Sequence, residues 1–186
     1  METNLKTVRG VRVVQALNED STYPGLYTNI QRAFPHTQKR QHATGPIAIT
    51  RMEYLPYAQN GVLQVNAEVR SDGTAYTPVV QFTQVQFEPN DTPENVTFKG
   101  ADDNDYHIQP VQLPTTNVKV RCNCLDFYYR FAAWNATDKS LYGPAFPPYQ
   151  RKTTTRPEVN PDHVPGLCKH LIKVFQQTEQ EGLTRR

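Results

Sequence analysis

Alternating apolar and polar positions between residues 47 and 87 predict an antiparallel β-meander. Three alternating runs, at residues 47–57, 63–69 and 76–87, are separated by the turn dipeptides Asn60-Gly61 and Asp72-Gly73. Both dipeptides tolerate the positive φ angles that tight hairpin turns require. Because Pro78 lacks a backbone donor, we expect an edge position or a bulge near the start of the third run.

The stretches on either side of this meander carry weaker patterns. Val11–Val14 predicts a short strand, and residues 18–45 contain prolines and glycines that predict mostly ordered loop. Within that loop, a short helical turn is predicted at Tyr27–Ala33. Residues 88–116 are acidic and contain four prolines, which indicates a loop-rich surface excursion rather than a separate domain.

The C-terminal third combines a strand, a long loop and a helix. Residues 117–124 alternate as a strand with valines and cysteines on one face, and residues 125–134 are dense in aromatic side chains. Residues 138–166 contain six prolines and predict a long loop. From Leu167, an apolar stripe at helical spacing predicts a helix, whose tail we expect to fray after Gln180.

Length, hydropathy and charge narrow the class of protein. A chain of 186 residues suits one domain, or one domain with an appended module. No apolar run approaches the roughly 20 residues that span a membrane, and the first residues lack the apolar core of a secretory signal. We therefore expect an intracellular protein with reduced thiols. Residues 1–120 carry 10 basic against 12 acidic side chains, whereas residues 121–186 carry 10 against 6, so the last third is basic.

All three cysteines of the chain fall into two short pairs, Cys122-x-Cys124 and Cys168-x-His170. Three thiolates and one imidazole are a standard tetrahedral ligand set for structural zinc, with no open position. Ligand atoms in such a site lie about 4 Å apart, whereas side chains at i and i+2 of a flat strand lie about 7 Å apart. The strand must therefore bend or end at the first pair. The second pair converges only at an irregular helix start, which Pro165-Gly166 predicts there.

Other interpretations of these residues stay open. Three buried cysteines beside an ordinary histidine would serve as small apolar core residues. Cys168 with His170 or His163 has the composition of a nucleophile–base pair, although that interpretation leaves Cys122-x-Cys124 unexplained. His163 lies five residues before Cys168 and competes with His170 as the fourth ligand.

The pattern Cys122-x-Cys124…Cys168-x-His170 resembles the SWIM-type zinc finger, in which Cys-x-Cys and Cys-x-His flank a spacer. The resemblance implies a strand-strand-helix core, structural Zn²⁺ bound by these four residues, and a role in DNA or protein binding. The spacer in this chain has 43 residues, which is longer than the family usually shows.

A narrower resemblance covers about residues 118–175. The string from Val120 to Trp134 and the segment from Arg151 to Leu171 are similar to a set of tailed-phage proteins usually described as virion structural proteins. This similarity implies a component of the head–neck, tail or baseplate, made in the host cytoplasm and located in the virion. Its partners would be other virion proteins, with multiple copies in a symmetric ring.

Three further features carry weaker functional signals. The aromatic residues 125–134, with Arg121 before them and Arg130 among them, could stack nucleic-acid bases, but a small core beneath the zinc loop explains them better. The basic segment 151–156 favours a solvated loop or an interface rim over phosphate binding. The acidic loop at residues 102–105 lacks the glycine and distal glutamate of an EF-hand.

These observations predict an α+β protein with a small antiparallel β-sheet and a C-terminal zinc-bound strand–long loop–helix module. Residues 1–116 form the β-rich N-terminal region, and residues 117–186 form the SWIM-like module, packed with it as one compact unit. We expect no enzyme, because the sequence lacks a phosphate loop, a nucleophile elbow and a His-Glu-x-x-His motif. The expected function is zinc-stabilised assembly in a tailed-phage particle, and the alternative is a SWIM-type DNA-binding accessory protein.

Overall fold

The computed structural model describes residues 21–34, 46–147, 149–150, 152, 155 and 158–186, which form an α+β fold with largely antiparallel sheets. The strand predicted at Val11–Val14 lies outside the described residues. Four of the six residues in the basic segment 151–156 also lie outside them. Among the described residues, no helix combines the length and the apolarity needed to cross a membrane.

The predicted meander forms the centre of the main sheet. Its strands are β1 (Ile47–Tyr57), β2 (Val62–Ser71), β3 (Thr74–Tyr76), β4 (Val79–Phe82) and β9 (Val118–Arg121). The strands pair antiparallel in the order β1-β2-β4-β9, and β3 also pairs with β2. Both predicted turns are confirmed, with positive φ at Gly61 and at Asp72-Gly73. The register of β1 against β2 shifts between Ile49 and Arg51.

Pro78 interrupts the third run of the meander without shifting its pairing. Tyr76 lies opposite Val69 and Val79 lies opposite Asn66, which is the same register on both sides of the proline. Pro78 lies between β3, which pairs only with β2, and β4, which lies between β2 and β9. The expected edge position therefore holds on the β3 side, and the expected bulge is absent. The ladder instead has a local gap at a residue that has no N–H to donate.

Residues 88–116 form more regular structure than the predicted loop. The elements are the strands β5 (Phe87–Glu88), β6 (Val96–Lys99), β7 (Asp105–Ile108) and β8 (Val111–Gln112), and the 3₁₀ turn Leu113–Thr115. The first three strands pair antiparallel in the order β5-β7-β6 and make a second sheet. Phe98 and Ile108 are buried in the core, so the prediction of a loop-rich excursion is wrong here. Such short strands leave too few alternating positions to detect in the sequence.

The helix before the meander is longer than the sequence predicts. α1 spans Tyr23–Ala33, whereas the predicted helical turn covers only Tyr27–Ala33. Thr22 caps α1, because its Oγ1 accepts a hydrogen bond from Gly25 N–H (3.2 Å). Pro24 fits in the first turn, where its missing N–H has no intrahelical partner to lose. The Pro-Gly pair therefore begins a helix instead of marking a loop.

The described C-terminal residues complete the fold with helices and a final strand. These elements are α2 (Leu125–Arg130), α3 (Ala132–Thr137), α4 (Lys169–Gln180) and β10 (Thr184–Arg185). The predicted apolar stripe of α4 faces the core, where Leu171, Val174 and Phe175 are fully buried. The tail does not fray as expected, because Leu183 and Thr184 are buried and β10 pairs in parallel with β8.

Candidate metal centre

The four side chains predicted as metal ligands converge in the core. Cys122, Cys124, Cys168 and His170 are all buried, and one potential ligand atom from each lies within 4.8 Å of all the others. A tetrahedral site with bonds of about 2.0–2.3 Å places its ligand atoms roughly 3.5–3.8 Å apart. The cluster therefore has nearly the size that one metal ion requires.

The first two ligands lie where β9 ends and α2 begins. β9 stops at Arg121, and Cys124 is the N-cap of α2 with an extended backbone (φ −75°, ψ 149°). Its Sγ accepts a hydrogen bond from Phe127 N–H (3.3 Å), which satisfies one donor of the first helical turn. The expectation that the strand ends at Cys122–Cys124 is confirmed, since a helix follows immediately.

The other two ligands lie at the start of α4. Cys168 is the N-cap, with an extended backbone (φ −82°, ψ 166°), and His170 is the second residue of the helix. The change from extended to helical backbone brings side chains at i and i+2 toward the same point, which a regular helix would not do. The predicted irregular helix start is confirmed. The N-cap position also places the sulfur of Cys168 at the positive end of the helix dipole.

Close packing holds the segment that leads into α4. Gly166 lies so near Phe131 that an added Cβ would be 2.7 Å from Cε1 of the ring. Its N–H also donates to Asn135 Oδ1 (3.0 Å). The side chain of Asn160 anchors the preceding loop by donating to Arg130 O (2.8 Å). These contacts reach α2, α3 and the junction between the two helices. They place Cys168 beside the first cysteine pair.

His170 presents its Nδ1 atom to the sulfurs. Nδ1 lies 3.8 Å from Cys122 Sγ and 4.0 Å from Cys168 Sγ. Tyr76 of β3 stacks on the imidazole, with 4.1 Å between the ring centroids and 22° between the planes. The other nitrogen, Nε2, is buried and has no hydrogen-bond partner among the described residues. Nδ1 is therefore the nitrogen placed for a metal ion, in a ring whose orientation stacking helps to maintain.

The three buried thiols lie close enough to shift one another's ionisation. Burial raises the pKa of the Cys168 thiol. A hydrogen bond between the other two cysteines raises the pKa of Cys122 and lowers that of Cys124. A divalent cation would offset the repulsion among three buried thiolates, so the donor set fits zinc.

The geometry does not favour the nucleophile–base interpretation. Cys168 has no exposed surface and His170 is only 3% exposed, so a substrate has no access to this pair. His163 lies apart from the cysteines. Its Nε2 is 3.1 Å from Glu158 Oε1, and its ring stacks on Trp134 with 4.2 Å between centroids. The structure thus brings His170, and not His163, to the three sulfurs.

Sequence reasoning misses two residues that support the ligands. Tyr76 covers the imidazole of His170, and Lys169, which lies between two ligands, donates to Ser71 Oγ (2.7 Å) near the β2–β3 turn. Lys169 and Ser71 are separated by 98 positions in the chain. No local pattern identifies such partners, because only the pairing of distant elements brings them together.

The aromatic residues after Cys124 divide between core and surface. Phe127 and Phe131 are fully buried, which confirms the predicted core role for these two. Tyr129 is 42% exposed, and Tyr128 and Trp134 are half-buried. The prediction of a core is therefore right for part of the segment, because the helical period places only some of the rings inward.

Other candidate residues have structural partners. Arg121 Nη1 donates to Tyr142 O (2.7 Å), and Arg130 Nε donates to Asp126 Oδ1 (3.0 Å), so both arginines brace the module. In the acidic loop, Asp102 accepts hydrogen bonds from the side chains of Asn104 and Tyr106. These bonds lower the pKa of the Asp102 carboxyl and tie the loop together. Hydrogen bonds within the loop therefore account for the position of this carboxylate.

Comparisons with protein-family models, with curated proteins and with solved structures found no match for this chain. The buried Cys₃His cluster is compatible with a zinc finger on its own geometry. No family model or curated relative therefore identifies a SWIM-type finger or a phage origin.

Proposed function

We propose that the chain is a zinc-stabilised structural protein in which Cys122, Cys124, Cys168 and His170 bind one Zn²⁺ ion. The observation that carries the proposal is the buried four-donor cluster between the end of β9 and the start of α4. Four protein ligands fill a tetrahedral coordination sphere and leave no position for water or substrate. The proposed ion is therefore structural and has no catalytic part.

The proposed ion closes a long loop. It joins Cys124 and Cys168, which are separated by 43 residues, and so attaches α4 to the main sheet. An unfolded chain has no preformed site, so the free energy of zinc binding adds directly to folding. A sequence with only 37% hydrophobic residues gains most from such a link.

The proposed biological role is assembly within a tailed-phage particle, as a building block or adaptor at the head–neck, tail or baseplate. Support comes from a site suited to stabilising a fold and from the resemblance of the motifs within residues 118–175 to phage virion structural proteins, although no family model or curated protein matches the chain. The proposed partners are other virion proteins, with multiple copies of this chain around a symmetric ring.

The alternative proposal is a SWIM-type DNA-binding accessory protein. Its affinity for DNA would fall steeply with salt, because phosphate contacts release counterions. Arg130 is buried and paired with Asp126, which favours the assembly role over this alternative. A gel-shift series at two salt concentrations distinguishes the two proposals, since the assembly role predicts no salt-sensitive shift.

Zinc content per chain tests the proposed site. Protein purified under reducing conditions is expected to contain one zinc per chain, measured by mass spectrometry of the metal. Cys124→Ala and His170→Ala are expected to lose zinc and solubility together. His163→Ala is the matched control, because His163 is exposed and pairs with Glu158 instead of the cysteines. Wild-type protein without metal, or a folded His170→Ala variant that keeps zinc, would contradict the proposal.

Detection in purified particles tests the proposed role. Particles separated from unassembled protein by density-gradient sedimentation are expected to contain this chain in many copies per particle, as counted by quantitative mass spectrometry. Absence from the particle fraction, with the chain present only among free proteins, would contradict the role in assembly while leaving the zinc site intact.

A further inference from the structure

Exposed apolar side chains concentrate around the short helix α2. Among the described residues, the large hydrophobic side chains classed as exposed are Tyr57, Leu125, Tyr129, Tyr149 and Val159. Leu125 and Tyr129 belong to α2, and Leu125 is 67% exposed. Tyr149 contacts Tyr129 ring to ring, and Val159 O accepts a hydrogen bond from Arg130 at the end of α2. Contiguous apolar surface of this kind marks an interaction site.

Mutual contacts hold these side chains in place. Tyr128 lies 5.0 Å from Tyr129 and 5.3 Å from Phe146, and Tyr129 lies 4.7 Å from Tyr149, as measured between ring centroids. The guanidinium of Arg121 lies 3.9 Å from the centroid of Phe146 and covers its other side. A surface ordered before binding loses little conformational entropy when a partner docks. The name "α2 patch" denotes the six residues Leu125, Tyr128, Tyr129, Phe146, Tyr149 and Val159.

The border of the α2 patch is basic. Arg121 lies against Phe146, and the exposed Lys152 follows Tyr149 closely in the chain. Two acidic groups also lie beside the patch, and each has a partner: Asp126 is paired with Arg130, and Glu158, next to Val159, is paired with His163. A partner of this patch should therefore combine apolar contact with negative charge.

The same chain carries a surface with that complementary charge. Residues 88–105, which contain most of the second sheet, have six acidic side chains and one basic one. Five of the acidic residues are exposed, namely Asp91, Glu94, Asp102, Asp103 and Asp105. Half-buried Phe87 and Tyr106 supply apolar surface on the same sheet. The name "acidic surface" denotes residues 88–105.

We propose that the α2 patch of one copy docks on the acidic surface of a second copy. The inference rests on the proposed function, since it assigns the contact through which copies would join. Two different surfaces meet in this arrangement, so a joined pair keeps one unused acidic surface on the first copy and one unused patch on the second. Such head-to-tail contacts generate closed rings when the rotation between copies closes, and open filaments otherwise.

The packing of the patch favours a protein over nucleic acid. The rings of Tyr128, Tyr129 and Tyr149 meet at 69–73°, edge to face, so neighbouring edges occupy ring faces on which bases would stack. Leu125 and Val159 add aliphatic surface, which suits the apolar centre of a protein interface. We choose a second copy as the partner because the same chain carries the acidic surface, whose charge is opposite to that of Arg121 and Lys152 beside the patch.

A complementation experiment with the full-length, zinc-loaded chain tests the contact. The patch variant carries Leu125→Glu and Tyr129→Glu, and the acidic-surface variant carries Glu94→Lys and Asp105→Lys. Tyr57→Glu is the control, because it places the same charge on an exposed tyrosine outside both surfaces. Zinc content and circular dichroism check that each variant is folded. Association is measured by analytical ultracentrifugation over a range of protein concentrations.

The expected result is specific to a head-to-tail contact. Wild type and Tyr57→Glu associate into oligomers, with weaker association as salt rises from about 0.05 M to about 0.5 M. Each surface variant alone raises the dissociation constant by at least about tenfold and stays monomeric. An equal mixture of the two variants forms a one-to-one dimer, because one supplies the intact patch and the other the intact acidic surface.

Three results would overturn the inference. The first is a wild-type chain that stays monomeric at every concentration. The second is an acidic-surface variant that associates as well as wild type, which would mean that patch meets patch. The third is a folded mixture of the two variants with no dimer. None of these results changes the zinc content or the presence of the chain in particles, so failure of this inference is distinguishable from failure of the proposed function.

Discussion

The metal centre and the second sheet are stabilised in different ways. At the metal centre, four buried donors from two distant segments converge on one point. In the second sheet, β7 pairs with both β5 and β6, all within residues 87–108, and Phe98 packs its ring against Tyr54 and Tyr106 at 5.5 Å and 5.9 Å between centroids. The centre therefore depends on a few specific atoms, whereas the sheet depends on apolar area and hydrogen bonds distributed over many residues.

This difference predicts how each region responds to damage. Loss of one proposed ligand would release the metal ion and leave the other three polar groups buried without it. The loss of folding free energy would then include the contribution of all four groups. Loss of one aromatic ring from the sheet removes its own packing energy and leaves the rest of the ladder paired. Four changes, ordered from the largest expected effect to the smallest, test the comparison.

Cys168→Ser is expected to have the largest effect. Serine keeps the approximate size of the side chain but removes the fully buried sulfur that is proposed as a ligand. We expect loss of zinc and a fall of several kcal/mol in the free energy of unfolding, since structural zinc supplies folding energy directly. Metal analysis and urea denaturation measure the two quantities, and treating wild type with a strong chelator should reproduce the result. A variant that kept both zinc and wild-type stability would show that Cys168 is not a ligand.

Phe98→Ala is expected to destabilise the second sheet while sparing the centre. Deleting a buried phenyl ring costs about 3–5 kcal/mol, and the 8% exposure of Phe98 places the expected loss near the lower end. Zinc content should remain at the wild-type value. Urea denaturation gives the loss of stability, and metal analysis of the same sample gives the zinc content. Loss of zinc from this folded variant would mean that the two regions are not independent.

Gly166→Ala tests the packing that leads into α4. A Cβ at this position would lie 2.7 Å and 2.8 Å from two ring atoms of Phe131, so the ring or the backbone must move. We expect a loss of about 1–3 kcal/mol in stability and weaker zinc binding, as measured by unfolding and by competition with a chromogenic chelator. Gly73→Ala is the comparison variant, because an added Cβ there meets no atom within 4 Å and only the positive φ causes strain. Equal zinc affinity in Gly166→Ala and wild type would rule out a positioning role for this contact.

Protonation of Asp102 is expected to have the smallest effect. Hydrogen bonds from Asn104 and Tyr106 hold the pKa of its carboxyl below the usual range. The ionised form therefore stabilises the folded state above the pKa of the unfolded chain, and this stabilisation is lost as pH falls through the folded pKa. The pH dependence of the Asp102 carboxyl ¹³C shift measures the folded pKa. Tyr106→Phe should move that pKa upward, and an unchanged value would exclude the tyrosine hydrogen bond as a cause.

Local signals in the sequence predict the meander, the ligand set and both ends of the metal centre. The turn dipeptides have backbone preferences of their own, and the spacing of Cys122, Cys124, Cys168 and His170 carries ligand chemistry in few residues. The apolar stripe of α4 follows from its helical period, although the helix begins at Lys169 instead of Leu167. The turns and the helix are confirmed because neighbouring residues specify them, and the four side chains predicted as ligands converge as expected.

Features that depend on distant partners are predicted poorly. The second sheet has strands too short to give a clear alternation, and the tail is ordered because β10 pairs with β8 and buries Leu183. The stacking of Tyr76 on His170 and the contact of Lys169 with Ser71 also join segments far apart in the chain. Pro78 directly precedes the central strand β4, where one missing donor interrupts the ladder without displacing that strand.

The sequence by itself determined which atoms are available to bind a metal ion and where the backbone must turn to present them. Only the tertiary structure decided that His170 and not His163 faces the sulfurs, and that Tyr128 and Tyr129 lie toward the surface while Phe127 and Phe131 are buried. The physical reason is the range of the interactions. Ligand chemistry and turn preference reside in single residues and their neighbours, whereas burial, stacking and strand pairing exist only between segments that folding brings together.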